Sequence, residues 1–222
     1  MWANIGLQQF HLPAEDPVQI IRGVISLVYP DKQFKQLRER LLKIDYAFNI
    51  LPDNGIQVEC PFGNTYHIRP SNASTWFGPS DHIDPEYNRN IALPGGDSIG
   101  LGMDSVTFYV PPNTAVRIGE FYAHFFDVKP ALVDSGKSCI ISVGFHQSLV
   151  FTEVEAGTDL PAYDGHHVAL YINNFVESYH RLKESELVWN NPRFPFTYDT
   201  IEDALKHHEM VRDYFVNRQL CW

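Results

Sequence analysis

The sequence predicts an α+β fold in which helices cover one side of the strands of a repeated unit. The first observation behind this is one design used three times: an alternating aliphatic strand, a short turn and a short amphipathic helix. Its copies are residues 24–29 before 33–42, residues 105–110 before 114–126, and residues 167–172 before 175–183. The second observation is the alternation within the strands. Side chains point to opposite faces in turn, so Ile25/Leu27, Val106/Phe108/Val110 and Val168/Leu170/Ile172 make one apolar face. The third is the apolar stripe at helical spacing in each helix: Phe34, Leu37, Leu41; Ile118, Phe121, Phe125; and Phe175, Tyr179, Leu182. Helices are therefore expected on the aliphatic face. The other face carries Val24/Ser26/Val28, Ser105/Thr107/Tyr109 and His167/Ala169/Tyr171, small and polar with scattered aromatics, and a cleft is expected there.

The remaining elements follow in chain order. Residues 7–12 read as a strand ahead of the first copy, and strands follow it at 46–50, 56–60 and 65–69. Pro52-Asp53-Asn54-Gly55 and Pro61-Phe62-Gly63-Asn64 mark the turns between them. From 71 to 101 both periodicities vanish while Ser, Pro, Gly, Asp and Asn accumulate, so a linker is expected. The second copy is followed by strands at 138–143 and 147–153, then by the third copy. A less regular tail holds a short helix around 201–205 and a strand or helix near 209–216.

Composition narrows the function classes. Lys+Arg 17 against Asp+Glu 27 gives a formal net charge of -10, which repels nucleic-acid backbones and anionic membrane surfaces, and no basic patch offsets it. No stretch is long and apolar enough to span a bilayer, and no secretion signal opens the chain. Cys60, Cys139 and Cys221 are odd in number and far apart, which favours free thiols in a reducing compartment. A cytoplasmic protein is expected, with no nucleic-acid or membrane partner. The glycine-rich run at 95–102 leads into a strand, so it lacks the helix N-terminus of a phosphate cradle. Gly136-Lys137-Ser138 lacks the upstream glycine of a Walker motif.

The order of these pieces resembles the vicinal oxygen chelate superfamily, which contains glyoxalase I, bleomycin-resistance proteins, fosfomycin-resistance thiol transferases and extradiol dioxygenases. The resemblance is carried by the strand His167-Val168-Ala169-Leu170-Tyr171-Ile172, by Phe121-Tyr122-Ala123-His124-Phe125-Phe126, by Tyr163-Asp164-Gly165-His166-His167, and by the turn Cys60-Pro61-Phe62-Gly63-Asn64. It implies paired βαβββ modules forming curled mixed sheets around a cleft, with helices on the outer face. It also implies an incomplete half-domain over residues 1–70, a complete domain over 102–216 and a short tail from 217 to 222. The chain then begins inside a domain, so either an N-terminally shortened version of a longer protein or a fragment of one is expected.

The superfamily's site holds a divalent metal with two histidines and a carboxylate, leaving open positions where a substrate's vicinal oxygens chelate. Carried over, this puts His167 at a metal position, with Glu209 as the C-terminal carboxylate and Glu153 as the extra carboxylate of the glyoxalases. Ser105 and Val24 stand at the other histidine positions, and His67 lies near the first module's carboxylate position; that half is expected to bind no metal. Iron, manganese, nickel or zinc are the implied ions. Ser105, Tyr109, Gln147 and Tyr171 are the expected small-molecule contacts. The resemblance thus implies a metal-dependent lyase, thiol transferase or dioxygenase, or else a metal-free binding protein like the bleomycin-resistance relatives. An unfinished half-domain exposes a sheet edge, so a second copy in a homo-oligomer is a further expected partner.

Overall fold

A computed structural model describes residues 2–6, 8–12, 18–72, 76, 100–170 and 172–189. A two-stranded hairpin comes first, β1 (Trp2–Ile5) against β2 (Gln8–His11). The first module follows as β3 (Gly23–Pro30), α1 (Asp31–Lys43), β4 (Asn49–Ile50), β5 (Ile56–Glu59) and β6 (Thr65–Ser71). The second is β7 (Gly102–Val110), α2 (Ala115–Phe126), β8 (Ala131–Val133), β9 (Ser138–Gly144) and β10 (Gln147–Glu153). Helix α3 (Phe175–Glu184) comes last among the described residues. Both modules are βαβββ, as the resemblance implied.

The modules share one eight-stranded mixed sheet of order β4-β5-β6-β3-β7-β10-β9-β8. Within each module the first strand pairs parallel to the last, β3 with β6 and β7 with β10, and the other pairs are antiparallel. A helical crossover between the first strand and its three successors makes that parallel contact possible. The modules meet where β3 runs antiparallel to β7, from Gly23↔Phe108 to Val28↔Gly102.

One face is closed by helices and holds most of the core. Ile25, Leu27, Ile56 and Ile68 pack with Phe34 of α1 and with Ile5 of the hairpin. Val106, Cys139, Ile141 and Leu149 pack with Ala115 and Tyr122 of α2. The alternation read from the sequence therefore assigns the faces correctly in both modules.

The third strand–helix copy departs from expectation. Helix α3 forms, with Leu182 buried, but none of residues 166–170 or 172 is in a strand. Both sides of β7 and of β10 are already paired, so this aliphatic segment has no place beside them in the ladder. Its apolar side chains are used all the same, because Val168 and Leu170 pack against the Val106–Leu149 cluster. Donors from the start of the first module anchor the approach: Asp164 Oδ2 accepts Ile20 N–H at 2.5 Å, and Arg22 Nη1 donates to the Pro161 carbonyl at 2.7 Å. The expected elements at 201–205 and 209–216 lie outside the described residues.

Candidate functional site

The sheet face turned away from α1 and α2 carries a polar row fixed by strand register. Gln57 pairs with His67, His67 with Ser26, Ser26 with Ser105, Ser105 with Ser148 and Ser148 with Ser142. Paired residues share a face, so this row crosses β5, β6, β3, β7, β10 and β9. With strands about 4.8 Å apart it runs for about 24 Å. On the opposite face the adjoining positions are Ile68, Ile25, Val106, Leu149 and Ile141, all buried.

Near the middle, β7 bulges. Ser26 and Leu27 of β3 face Ser105 and Met103 of β7, leaving Asp104 as the extra residue. The bulge lets Asp104 reach the same side as its neighbour Ser105, where its Oδ2 accepts Arg69 Nε at 2.9 Å. The Arg69 guanidinium also lies over the Trp76 ring, 5.7 Å from its centroid. Trp76 packs on Val28 and Leu101 and stacks on His146 at 5.2 Å. A residue of the expected linker therefore covers one end of this face and supports the Arg69–Asp104 pair. The other oxygen, Asp104 Oδ1, is buried and has no hydrogen-bond partner.

His67 is the ionisable group of the row. Its Nε2 lies 3.0 Å from Gln57 Oε1. Burial pushes its pKa below the ordinary histidine value, against the opposing pull of Asp53 and Asp104. The row thus combines a neutral imidazole, an amide, hydroxyls and a partly satisfied carboxylate.

The residues expected from the sequence divide between the two faces. Ser105 lies in the row, and Tyr109 is on the same face beside Thr152, four residues or about 13 Å further along β7. Gln147 opens β10 and folds back on the β9–β10 turn, where a Cβ on Gly144 would sit 2.6 Å from its Oε1. His167 follows His166, which stacks on Phe108, and precedes Val168, which packs against the cluster that contains Val106 and Leu149. That segment therefore lies against the helix-covered face, opposite Ser105. Tyr171 and Glu209 lie outside the described residues.

Glu153 has a local task. Its Oε1 accepts the Ala115 N–H at 2.9 Å at the start of α2. Hydrogen bonds from the Ala115 and Asn113 N–H groups, opposed by desolvation and joined by Thr114 and Lys137, hold its carboxyl below the usual glutamate range. His167 Nδ1 lies 3.1 Å from the Gly165 carbonyl. Among the described residues no three His, Cys, Asp or Glu side chains come together as metal ligands. The implied set of His167, Glu153 and Glu209 includes one residue, Glu209, outside the described residues.

Sequence reasoning passed over Gln57, His67, Ser26 and Asp104 as a group because they come from four strands separated by turns and by the 71–101 segment. Single members were visible, but their alignment depends on register.

No family model matches the chain, and no curated protein matches it. Among solved structures it is similar to a candidate dioxygenase from Bacillus subtilis, with 16% identity, 75% of this chain and 51% of that chain covered, and a TM-score of 0.47. It is also similar to a lactoylglutathione lyase from Agrobacterium tumefaciens, with 13% identity, coverage of 64% and 96%, and a TM-score of 0.21. A glyoxalase/bleomycin resistance protein/dioxygenase from Nocardioides gives 12% identity, coverage of 68% and 91%, and a TM-score of 0.19. The chain spans about half the length of the Bacillus subtilis protein. These neighbours are of the glyoxalase and dioxygenase type; likeness at this level assigns no activity to the present chain.

Proposed function

We propose that the protein binds a small polar molecule, without a metal, on the sheet face opposite α1 and α2, around His67, Ser26 and Ser105. The observation that carries this reading is the polar row itself. Six aligned positions on six strands hold polar side chains, while the positions behind them are aliphatic. Hydroxyl and amide groups orient a ligand by hydrogen bonds and are poor ligands for a transition metal. The test is a thermal-shift screen of small metabolite-like molecules with and without a chelator. A true ligand raises the unfolding midpoint equally in both conditions, and the shift is lost in the Ser26→Ala/Ser105→Ala double variant. Protection that needs a metal, or that survives in the double variant, would overturn the reading.

The metal-assisted alternative rests on His167, Glu209 and Glu153. It predicts near-stoichiometric iron, manganese, nickel or zinc in protein prepared without chelators, absent from the His167→Ala variant. Elemental mass spectrometry decides it. Such a result would replace the metal-free reading with a metal-dependent one, within which a lyase, thiol transferase or dioxygenase activity would then be sought.

A further inference from the structure

We propose that Arg69 makes this face selective for ligands bearing a carboxylate or phosphate group, which its two Nη groups hold while the polar row holds a hydroxylated body. The inference rests on the reading of this face as the binding site. Among the described strands Arg69 is the only Lys or Arg, although the chain has 17 such residues. It is thus the local exception in a sheet whose chain, at a formal net charge of -10, otherwise repels anions. Arg69 pairs with Val28 as His67 pairs with Ser26, so the two side chains share a face, about 7 Å apart along β6. Strand β3 lies between β6 and β7, and Arg69 must cross it to reach Asp104, the neighbour of Ser105. The guanidinium therefore comes to the middle of the face, beside the row.

Two contacts fix its orientation. Nε donates to Asp104 Oδ2 at 2.9 Å, and the group lies over the Trp76 ring. Neither contact uses an Nη group, and neither Nη has a hydrogen-bond partner among the described residues. The side chain is 40% exposed, and neither Nη belongs to the buried unpaired atoms, so both meet solvent. Their N–H bonds form a planar fork that matches two oxygens of a carboxylate or phosphate. Asp104 is a positioning residue: its Oδ1 is buried, so a ligand reaches the donors and not the carboxylate. The rest of the row suits an uncharged body. His67 is held toward its neutral form, and the hydroxyls of Ser26 and Ser105 both donate and accept.

The experiment uses the full chain labelled with 15N-arginine and 15N-histidine. Arg69→Gln assigns the Arg69 Nε–H signal, and His67→Gln assigns the His67 ring. Four probes with a common three-carbon hydroxylated body are titrated in: glycerol, glycerate, glycerol 3-phosphate and 3-amino-1,2-propanediol. Glycerate or glycerol 3-phosphate should shift both residues and bind about tenfold or more tighter than glycerol, with the amine weakest. The tighter of the two anions identifies the group that is held. Read at His67, Arg69→Gln should bring the anions down to the affinity of glycerol and leave glycerol unchanged. Arg69→Lys keeps the charge without the fork and should lose most of the preference.

The order of the four probes is read on the wild type, so it stands whether or not a variant folds. Equal binding of all four, or tighter binding of the amine, overturns the anion anchor. Full preference in Arg69→Lys overturns the fork. In each of these cases a His67 response that disappears in Ser26→Ala/Ser105→Ala keeps the face as the site. No response of either residue to any probe overturns the site and the anchor together.

Discussion

Glu153 shows at the residue scale how a side chain's neighbours decide its role. Sequence alone offered a carboxylate at the end of a strand; the fold places the start of α2 against it, and the free N–H groups of the helix's first turn take it up. Its folded pKa is depressed, so the stability it adds is present above the unfolded-state value and is lost as pH falls through the folded one. Glu153→Gln should lower the unfolding midpoint at neutral pH, and the gap from wild type should close in acid, because a protonated Glu153 is little different from a glutamine. Thermal unfolding measured from neutral to acid pH checks this; a gap that persists in acid would assign the loss to packing. Asp164 is held low in a similar way: burial works against its charge, but donors from Ile20 and His166 outweigh that.

Elements were legible wherever local pattern and tertiary demand agreed. The spans of β3, α1, β7, α2, β9 and β10 came close to the periodicity because each buries an aliphatic face against a helix or strand of its own module. Ile141 of β9 is fully buried in this way, and Ile141→Ala should cost about 2–5 kcal/mol in chemical denaturation. Strands β1 and β8 went unread, being four and three residues long and defined by pairing more than by pattern. The third copy failed for the opposite reason: residues 167–172 have the alternation of a strand, but alternation supplies faces and not a partner. The same limit hid the polar row, because each residue in it is ordinary until its cross-strand neighbours are known.

The whole molecule is organised by the seam between β3 and β7, which turns two modules into one sheet. Gly23 sits at that seam, and a Cβ there would lie 1.7 Å from the Thr107 carbonyl oxygen. Gly23→Ala should therefore force the pair apart and destabilise both modules together, seen as a parallel loss of near-UV and far-UV circular dichroism at lower temperature. Amides in β3 and β7 should exchange slowest with deuterium and those in the edge strands β4 and β8 fastest. Equal rates at seam and edges would mean that the modules do not share a sheet. Among the described residues no helix is long and apolar enough to cross a membrane. The sequence by itself determined the α+β class, the strand–helix units and which face of each strand meets the helices, since those follow from side-chain periodicity within one element. Only the tertiary structure decided which strands are neighbours, that the third copy lies over the helix-covered face, and that His67, Ser26 and Ser105 stand in line. Register and pairing depend on hydrogen bonds between residues far apart in the chain, and no local pattern encodes them.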